Sequence, residues 1–307
     1  MGVLQRFRGK PVPWWVQGFM DAGQYEAFEA ALHADLRSRA WTWRQEDDGV
    51  FVDGAPGEEP TVYGLTNLAQ RCAAIDRSDW PVAIKDHFDH VSGTLAGLPD
   101  DDLAWEGARP LLKLRVFTVD QAESMSMVSY PLAPALVAAL VVDYPTTVRM
   151  LVREHIADWP PVDELYAVAL ENLRADPAPE WQRVGDGPEA FLATLDDSFF
   201  TAARVLLLPD GVDLGGAPDA IVAIPNRHAL LVHPIHDLGV VKATQTMIAI
   251  TASLFDEGPG SISRDLYWWH GGALTTIPVQ VDGKSVSMFP PDAFVERMNA
   301  LGEPGTG

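Results

Sequence analysis

The sequence predicts an α+β protein: a small N-terminal α/β unit followed by a larger mixed sheet packed with helices. Three observations lead there. From Gln24 onward, Tyr25, Phe28, Leu32 and Leu36 recur at spacings of three and four, which puts them on one face of a helix. Further on, short runs rich in Val, Ile and Leu are bounded by Gly, Pro, Asn and Asp, as in "LLKLRVFTV", "DAIVAIP" and "HALLVHP". That is the composition of strands. Between the two patterns, "GTLAGLPDDDLAWEGARP" loses periodicity and carries glycine, proline and an acidic triplet, the marks of a linker.

A chain of 307 residues has room for about two domains. Its 47% apolar and 21% charged residues are ordinary for a globular protein. The expected division is a basic-aromatic arm over residues 1–20, a small α+β domain over 21–92, and an acidic linker over 93–109. A larger α+β domain over 110–301 and a flexible tail over 302–307 complete it.

Taken in order, the first helix is followed by "WTWRQEDDGVFVDG", whose alternation around an Asp-Gly turn signal predicts a hairpin. Helices are expected over about 65–76 and 80–95, the second with Pro81 in its first turn. In the larger domain "LLKLRVFTV" reads as a strand, "ALVAALVVDYP" as a buried strand or strand pair, and "TVRMLV" as another. "PVDELYAVALENL" predicts a helix with Val162, Leu165, Ala169 and Leu173 in one stripe. "ARVLLLPD" fits a short helix or a buried strand, and periodicity does not arbitrate. "DAIVAIP" and "HALLVHP" form a strand pair joined tightly at Asn226-Arg227. Residues 238–255 give a longer helix with Met247, Ile248, Thr251, Leu254 and Phe255 on one side.

In "LYWWHGGALT" strand alternation puts Tyr267 and Trp269 on one face and Trp268 on the other. In "IPVQVDGKSVSMF" the Asp282-Gly283 turn pairs Val281 with Lys284, Val279 with Val286 and Ile277 with Met288. A terminal helix over Asp292–Leu301 follows two prolines.

The charge balance is lopsided: 43 acidic residues against 22 basic ones, a net charge of −21. Neutralising phosphates needs a basic face, so no nucleic-acid partner is expected, and the same charge disfavours anionic membrane surfaces. No apolar run reaches the length of a bilayer span, and no secretory signal pattern is visible; the expected location is cytoplasmic. The single cysteine, Cys72, excludes an internal disulfide, and its "LAQRCAAI" setting reads as packing rather than nucleophile. There is no G-x-S-x-G elbow, phosphate loop or dinucleotide fingerprint, and no cofactor is expected.

Four places carry candidate chemistry. The arm contains Arg6, Arg8 and Lys10 but no acid, followed by Trp14, Trp15, Phe19 and Met20. Its aromatics either pack on the protein's own body or, through Arg6, Arg8, Trp14 and Trp15, dock an acidic partner. The stretch "AIPNRHALLVHPIHD" holds three of the eight histidines. His228 and His233 are five apart on a strand, so they point to opposite sides and do not converge with His236 on a metal. The tight turn presents Asn226 and Arg227 above a strand pair; with His236 and Asp197 they are the ligand-binding candidates. In "DHFDH", His87 and His90 are three apart and share a helix face. Two imidazoles fall short of a zinc site, and a solvated face is the preferred reading. Asp196-Asp197 before Ser198 forms either a helix cap or part of a polar site.

"LYAVALENL", "DDSFFTAARVLLLPD" and "AIVAIPNRHALLV" occur in this order, after "VYGLTNLAQRCAAI" with its strand and Asn-Leu-bearing helix. On these motifs, roughly Gln24 to Leu301 resembles the YtpQ-like family of uncharacterised bacterial proteins, a domain-of-unknown-function family. The resemblance implies a cytosolic α+β protein and carries over no catalytic residues. The chain departs from the family in its basic-aromatic arm, its long acidic linker and the "HPIHD" continuation.

Two functional readings follow. The first is a non-catalytic protein- or ligand-binding or regulatory module with a protein partner. It contacts its target through an interdomain groove, the Asn226-Arg227 turn or the arm. The second is a hydrolase with Asp197, Ser198, Asn226, Arg227 and His236 meeting in space: Arg227 binds a carboxylate or phosphate and His236 acts as general base. The first is preferred, because no acid/base, metal or nucleotide constellation is visible.

Overall fold

The computed structural model describes residues 12–16, 19–46, 49–52, 61–96, 104–144, 147–282 and 285–302. The protein is α+β and divides into two compact units: Met1–Leu98 with Asp256–Gly260, and Pro99–Phe255 with Ser261–Gly307.

In the first unit Asp21 starts helix α1 (Ala22–Ser38) with a capping box, its carboxylate accepting from the Gln24 N–H while the Gln24 side chain accepts from the Asp21 N–H. Strands β1 (Trp43–Glu46), β2 (Gly49–Val52) and β3 (Thr61–Gly64) form an antiparallel meander. The expected hairpin is present, with Glu46 paired to Gly49; residues 47 and 48 lie outside the described residues. Helices α2 (Thr66–Ala73) and α3 (Trp80–Ala96) follow. Phe28, Leu32, Leu36, Leu68, Ile84 and Phe88 are fully buried together, so the spacing read from Gln24 onward marks the core face.

The arm is not separate from this unit. Trp15, Val16 and Met20 belong to its core, and the Trp15 ring meets Tyr25 edge-on at 5.9 Å. Trp15 is only 4% exposed, so it is a core residue and not a docking residue: packing withholds the indole from a partner. Arg6, Arg8 and the Trp14 side chain lie outside the described residues. A second correction concerns residues 256–260. The Gly260 N–H donates to Asn67 Oδ1 at 2.8 Å across 193 positions of sequence. Gly258 has φ +57°, and a Cβ there would sit 2.3 Å from the Gln70 side chain, so only glycine fits.

The second unit is layered. It begins earlier than the expected linker allows: α4 (Trp105–Ala108) buries Ala108, and Trp105 packs on Trp159 with centroids 5.5 Å apart. Strand β4 (Leu112–Thr118), short helix α5 (Val119–Ser124), and strands β5 (Ser129–Ala133), β6 (Leu136–Tyr144) and β7 (Thr147–Met150) come next. β6 is the spine of this sheet. β4 pairs along one edge of it, while β5 and β7 share the other. Ala138, Leu140 and Val142 pack toward Leu165 and Ala169 of α6 (Val162–Ala175), whereas Ala139 and Val141 face a second sheet. Burial on both faces is why β6 reads as an unbroken apolar run.

The second sheet has six strands in the order β13-β12-β10-β11-β9-β8. They are β8 (Gln182–Val184), β9 (Phe191–Leu195), β10 (Asp219–Ala223), β11 (Ala229–Pro234), β12 (Leu266–His270) and β13 (Ala273–Ile277). Val222, Leu230, Val232, Tyr267 and Trp269 fill the core shared with the β4–β7 sheet. Ile221, Leu231, Leu266 and Trp268 face the other way, onto α7 (Gly239–Glu257) and α8 (Asp292–Gly302). The expected single large sheet is therefore two antiparallel sheets between helical layers. Hairpins account for this: connections as short as Gly271-Gly272, both at positive φ, can join only antiparallel neighbours. "ARVLLLPD" resolves as a 3₁₀ helix over Ala202–Leu207.

The last hairpin, β14 (Val279–Asp282) and β15 (Ser285–Met288), pairs Val279 with Met288 and Val281 with Val286. The expected register differed by two, with Asp282-Gly283 as the turn. Ile277 decides the matter, because it pairs with Leu266 as the end of β13 and is unavailable to Met288. A shift of two keeps each side chain on its face.

Helix α8 is held by a buried ion pair. Asp219, at the start of β10, is 0% exposed. It accepts from Arg297 Nε at 2.9 Å and Nη2 at 3.1 Å, and from Trp268 Nε1 at 3.2 Å. Removing one partner of a buried pair strands the other. Arg297→Met is expected to cost about 3–5 kcal/mol in urea unfolding of the second unit. Asp219→Asn in the same background should recover part of that loss; equal stability of Arg297→Met and the parent would contradict this account.

Candidate functional site

Asn226 is 3% exposed and works for the fold. Its Nδ2 donates to the Leu254 carbonyl at 2.7 Å and its Oδ1 accepts from the His228 N–H at 2.9 Å. It thus closes the β10–β11 connection and ties it to α7. Arg227 is the other side chain of the turn. Its guanidinium lies 4.6 Å above the Phe199 ring and its Nε donates to His228 Nε2 at 2.8 Å. Burial lowers the pKa of His228, Arg227 lowers it further, and the backbone of Ser198 and Asp196 opposes both.

The remaining sequence candidates disperse. Asp197 is exposed, and it is its neighbour Asp196 that holds the local turn, accepting from the Ser198 N–H at 2.9 Å and from the Thr201 hydroxyl; the helix that follows has no side-chain cap. His233 is buried on the α7 side of the sheet, its Nδ1 2.9 Å from the Ala190 carbonyl; His228 lies before the opposite-facing Leu230. His236 is exposed beyond the far end of β11. Six strand residues separate Arg227 from it, roughly 20 Å at the rise of an extended chain. The structure therefore does not assemble the Arg227–His236 pair that the hydrolase reading needs.

His87 and His90 also part. His90 is exposed, whereas His87 turns inward with its Nε2 buried and without a hydrogen-bond partner. Burial drives the His87 pKa down to about 4, with Arg71 adding to the effect. The histidine is therefore a half-buried ring with an inward-facing Nε2 rather than part of a solvated face. Burial likewise pushes the Cys72 thiol up to about 11, leaving no thiolate nucleophile at neutral pH. Among the described residues no group of three His, Cys, Asp or Glu side chains could hold a metal ion.

A site that sequence reasoning missed lies on the outer helical layer of the second unit. α7, α8 and β15 enclose a groove of about 580 Å³ lined by Val241, Ile248, Met288, Phe294, Val295 and Met298, among others. Its volume falls in the range of ligand-binding clefts. Val241, Val286 and Val295 at its walls are 56%, 51% and 41% exposed. Phe294 packs edge-on against Trp268 at 5.5 Å, which sets α8 at the sheet and leaves Val295 facing outward. The signal was present in α7. Val241 and Ile248 are seven apart and so share a helix face, offset from the Ala243 and Met247 stripe on the sheet.

His87 provides a pH test. With its folded pKa near 4 against an ordinary 6.5, the unfolded chain binds the proton first as pH falls. The stability is complete above pH 6.5 and is lost on the way to pH 4. Between pH 7.5 and 5 the first unit should lose about 2 kcal/mol from this group, read by urea unfolding followed through tryptophan fluorescence. His87→Leu should flatten the dependence, and an unchanged slope in that variant would refute the assignment. No protein-family model, curated protein or solved structure matches the chain.

Proposed function

We propose that the protein is a non-catalytic binding module and that the α7–α8 groove receives the apolar face of an amphipathic helix from a protein partner. One observation carries the reading: a wide, predominantly apolar groove with exposed valines on both walls. Apolar surface of this kind is costly to leave open to water. Met288 and Met298 in its lining suit an adaptable contact, because the unbranched thioether repacks readily. The anchor spacing of a helix laid in a groove matches such a surface.

Charge narrows the partner. Asp292 and Glu296 are exposed on α8 beside Val295, and the chain carries a net −21. A partner helix with basic flanks is favoured by steering and by contact. The reading is of a cytoplasmic protein; what supports it is that no helix among the described residues is long and apolar enough to cross a membrane. Membership of the YtpQ-like family belongs to the same proposal and rests on the motifs quoted above.

The test uses a labelled Leu/Lys amphipathic helical peptide and a scrambled peptide of the same composition. The full chain should bind the first and not the second, with a hydrophobic dye displaced in parallel. Val241→Asp combined with Val295→Asp should weaken the peptide by about tenfold or more while the circular dichroism spectrum stays unchanged. Equal binding by parent and variant would overturn the proposal.

A further inference from the structure

Most of the buried or half-buried cations in this acidic chain have a carboxylate in reach. Arg39 pairs with Asp35 and Asp89, Lys113 with Asp176, and Arg297 with Asp219. Arg115 and Arg227 break the pattern. Among the described residues neither has an acid within ion-pair distance. Arg115 Nε is buried with no hydrogen-bond partner at all. Arg227 spends its Nε on His228, and among the described residues its two terminal nitrogens have no hydrogen-bond partner.

The two guanidiniums converge on one ring. Arg227 lies 4.6 Å and Arg115 5.7 Å from the Phe199 centroid, and Arg115 lies 4.9 Å from Phe117 as well. The neighbouring phenylalanine shows what a completed arrangement looks like. Lys113, two residues before Arg115 on the same strand face, sits 5.4 Å over Phe200 and is also bonded to Asp176. At Phe199 the aromatic face and the cations are present and the anion is missing. Asp143 is the acid that Arg115 senses, without forming an ion pair. Asp196 is occupied by Ser198 and Thr201.

Two cations brought together without a counter-ion are costly. Burial drives Arg115 down to about 9, with Arg227 adding to it, and drives Arg227 down to about 10. The shared ring has a solvent-facing side: Phe199 is 38% exposed and both arginines are partly exposed.

We propose that Arg115 and Arg227 form an anion site over Phe199 that takes the dianionic phosphoryl group of inorganic phosphate or of a small phosphate monoester. Two fixed positive charges match two negative ones, and guanidinium forks bind tetrahedral oxyanions by paired hydrogen bonds. A carboxylate supplies one charge and leaves the second guanidinium unmatched. The site uses none of the groove residues and stands independently of the partner-helix reading.

The experiment is a thermal-shift and calorimetric titration of the full chain in phosphate-free buffer at constant ionic strength. Inorganic phosphate and phenyl phosphate are the ligands, and acetate is the monoanion control. Both phosphates should raise Tm in a saturable manner and acetate should not; a response to inorganic phosphate alone would select the free ion over the ester. Arg227→Gln should weaken phosphate by about tenfold or more. Arg115→Met supplies an independent readout. Without phosphate its Tm should exceed that of the parent, because a partly buried, unmatched charge is gone, and phosphate should no longer raise it. No phosphate response in the parent, equal responses in parent and both variants, or a lower Tm for Arg115→Met without ligand would each overturn the site. If Arg115→Met fails to fold, the guanidinium is structural and the site falls.

Discussion

A carboxylate withdrawn entirely from water must be met by a cation and by hydrogen bonds, or the fold loses more than the residue contributes. Asp219 is in that position at the start of β10. Arg297 approaches it with two nitrogens from α8, and Trp268 donates from β12. The three groups come from an inner strand, its neighbour and the terminal helix. They orient α8 on the six-stranded sheet, and the same tryptophan packs against Phe294. Without the pair α8 would still have an apolar face, but no directional reason to rest where it does. The position of α8 in turn makes one wall of the apolar groove.

Charge is used economically in this chain. The chain has 43 acids and 22 basic residues, so its surface charge is self-repelling. Among the described residues Arg39, Lys113, Arg204 and Arg297, all near the interior, have a carboxylate partner. Arg39 adds cation–π packing on Trp41 and Phe88 to its two carboxylates. Against that background two unmatched guanidiniums sharing a phenylalanine are an informative departure. Buried polar groups normally find their partners within the protein, and groups that do not are where a ligand has most to offer.

The groove and the arginine pair answer to different physics. The groove is apolar, wide and built from helix faces. In the proposed reading its recognition rests on area removed from water and tolerates variation in what fills it. In the proposed anion site the arginine pair is directional, and hydrogen-bond geometry decides what it accepts. One unit can carry both because the sheet between α7 and the β4–β7 sheet is buried on both faces and so serves as a rigid base for either.

By itself the sequence determined the local features, because they rest on spacings of a few residues. The α1 stripe from Tyr25 to Leu36, the α6 stripe, and the split of Tyr267 and Trp269 from Trp268 were all readable, since helix and strand periods act over one turn or one pleat. The α+β class was readable for the same reason. What only the tertiary structure decided involves partners far apart in the chain. Trp15 joined a core, and Gly258 met Gln70. Ile277 was claimed by Leu266 and moved the last hairpin by two residues. At the candidate sites Arg227 was visible as a turn residue, but Arg115 read only as one position of a strand. Their meeting at Phe199 depends on two sheets packing face to face, and no local pattern encodes which strand is set opposite which turn.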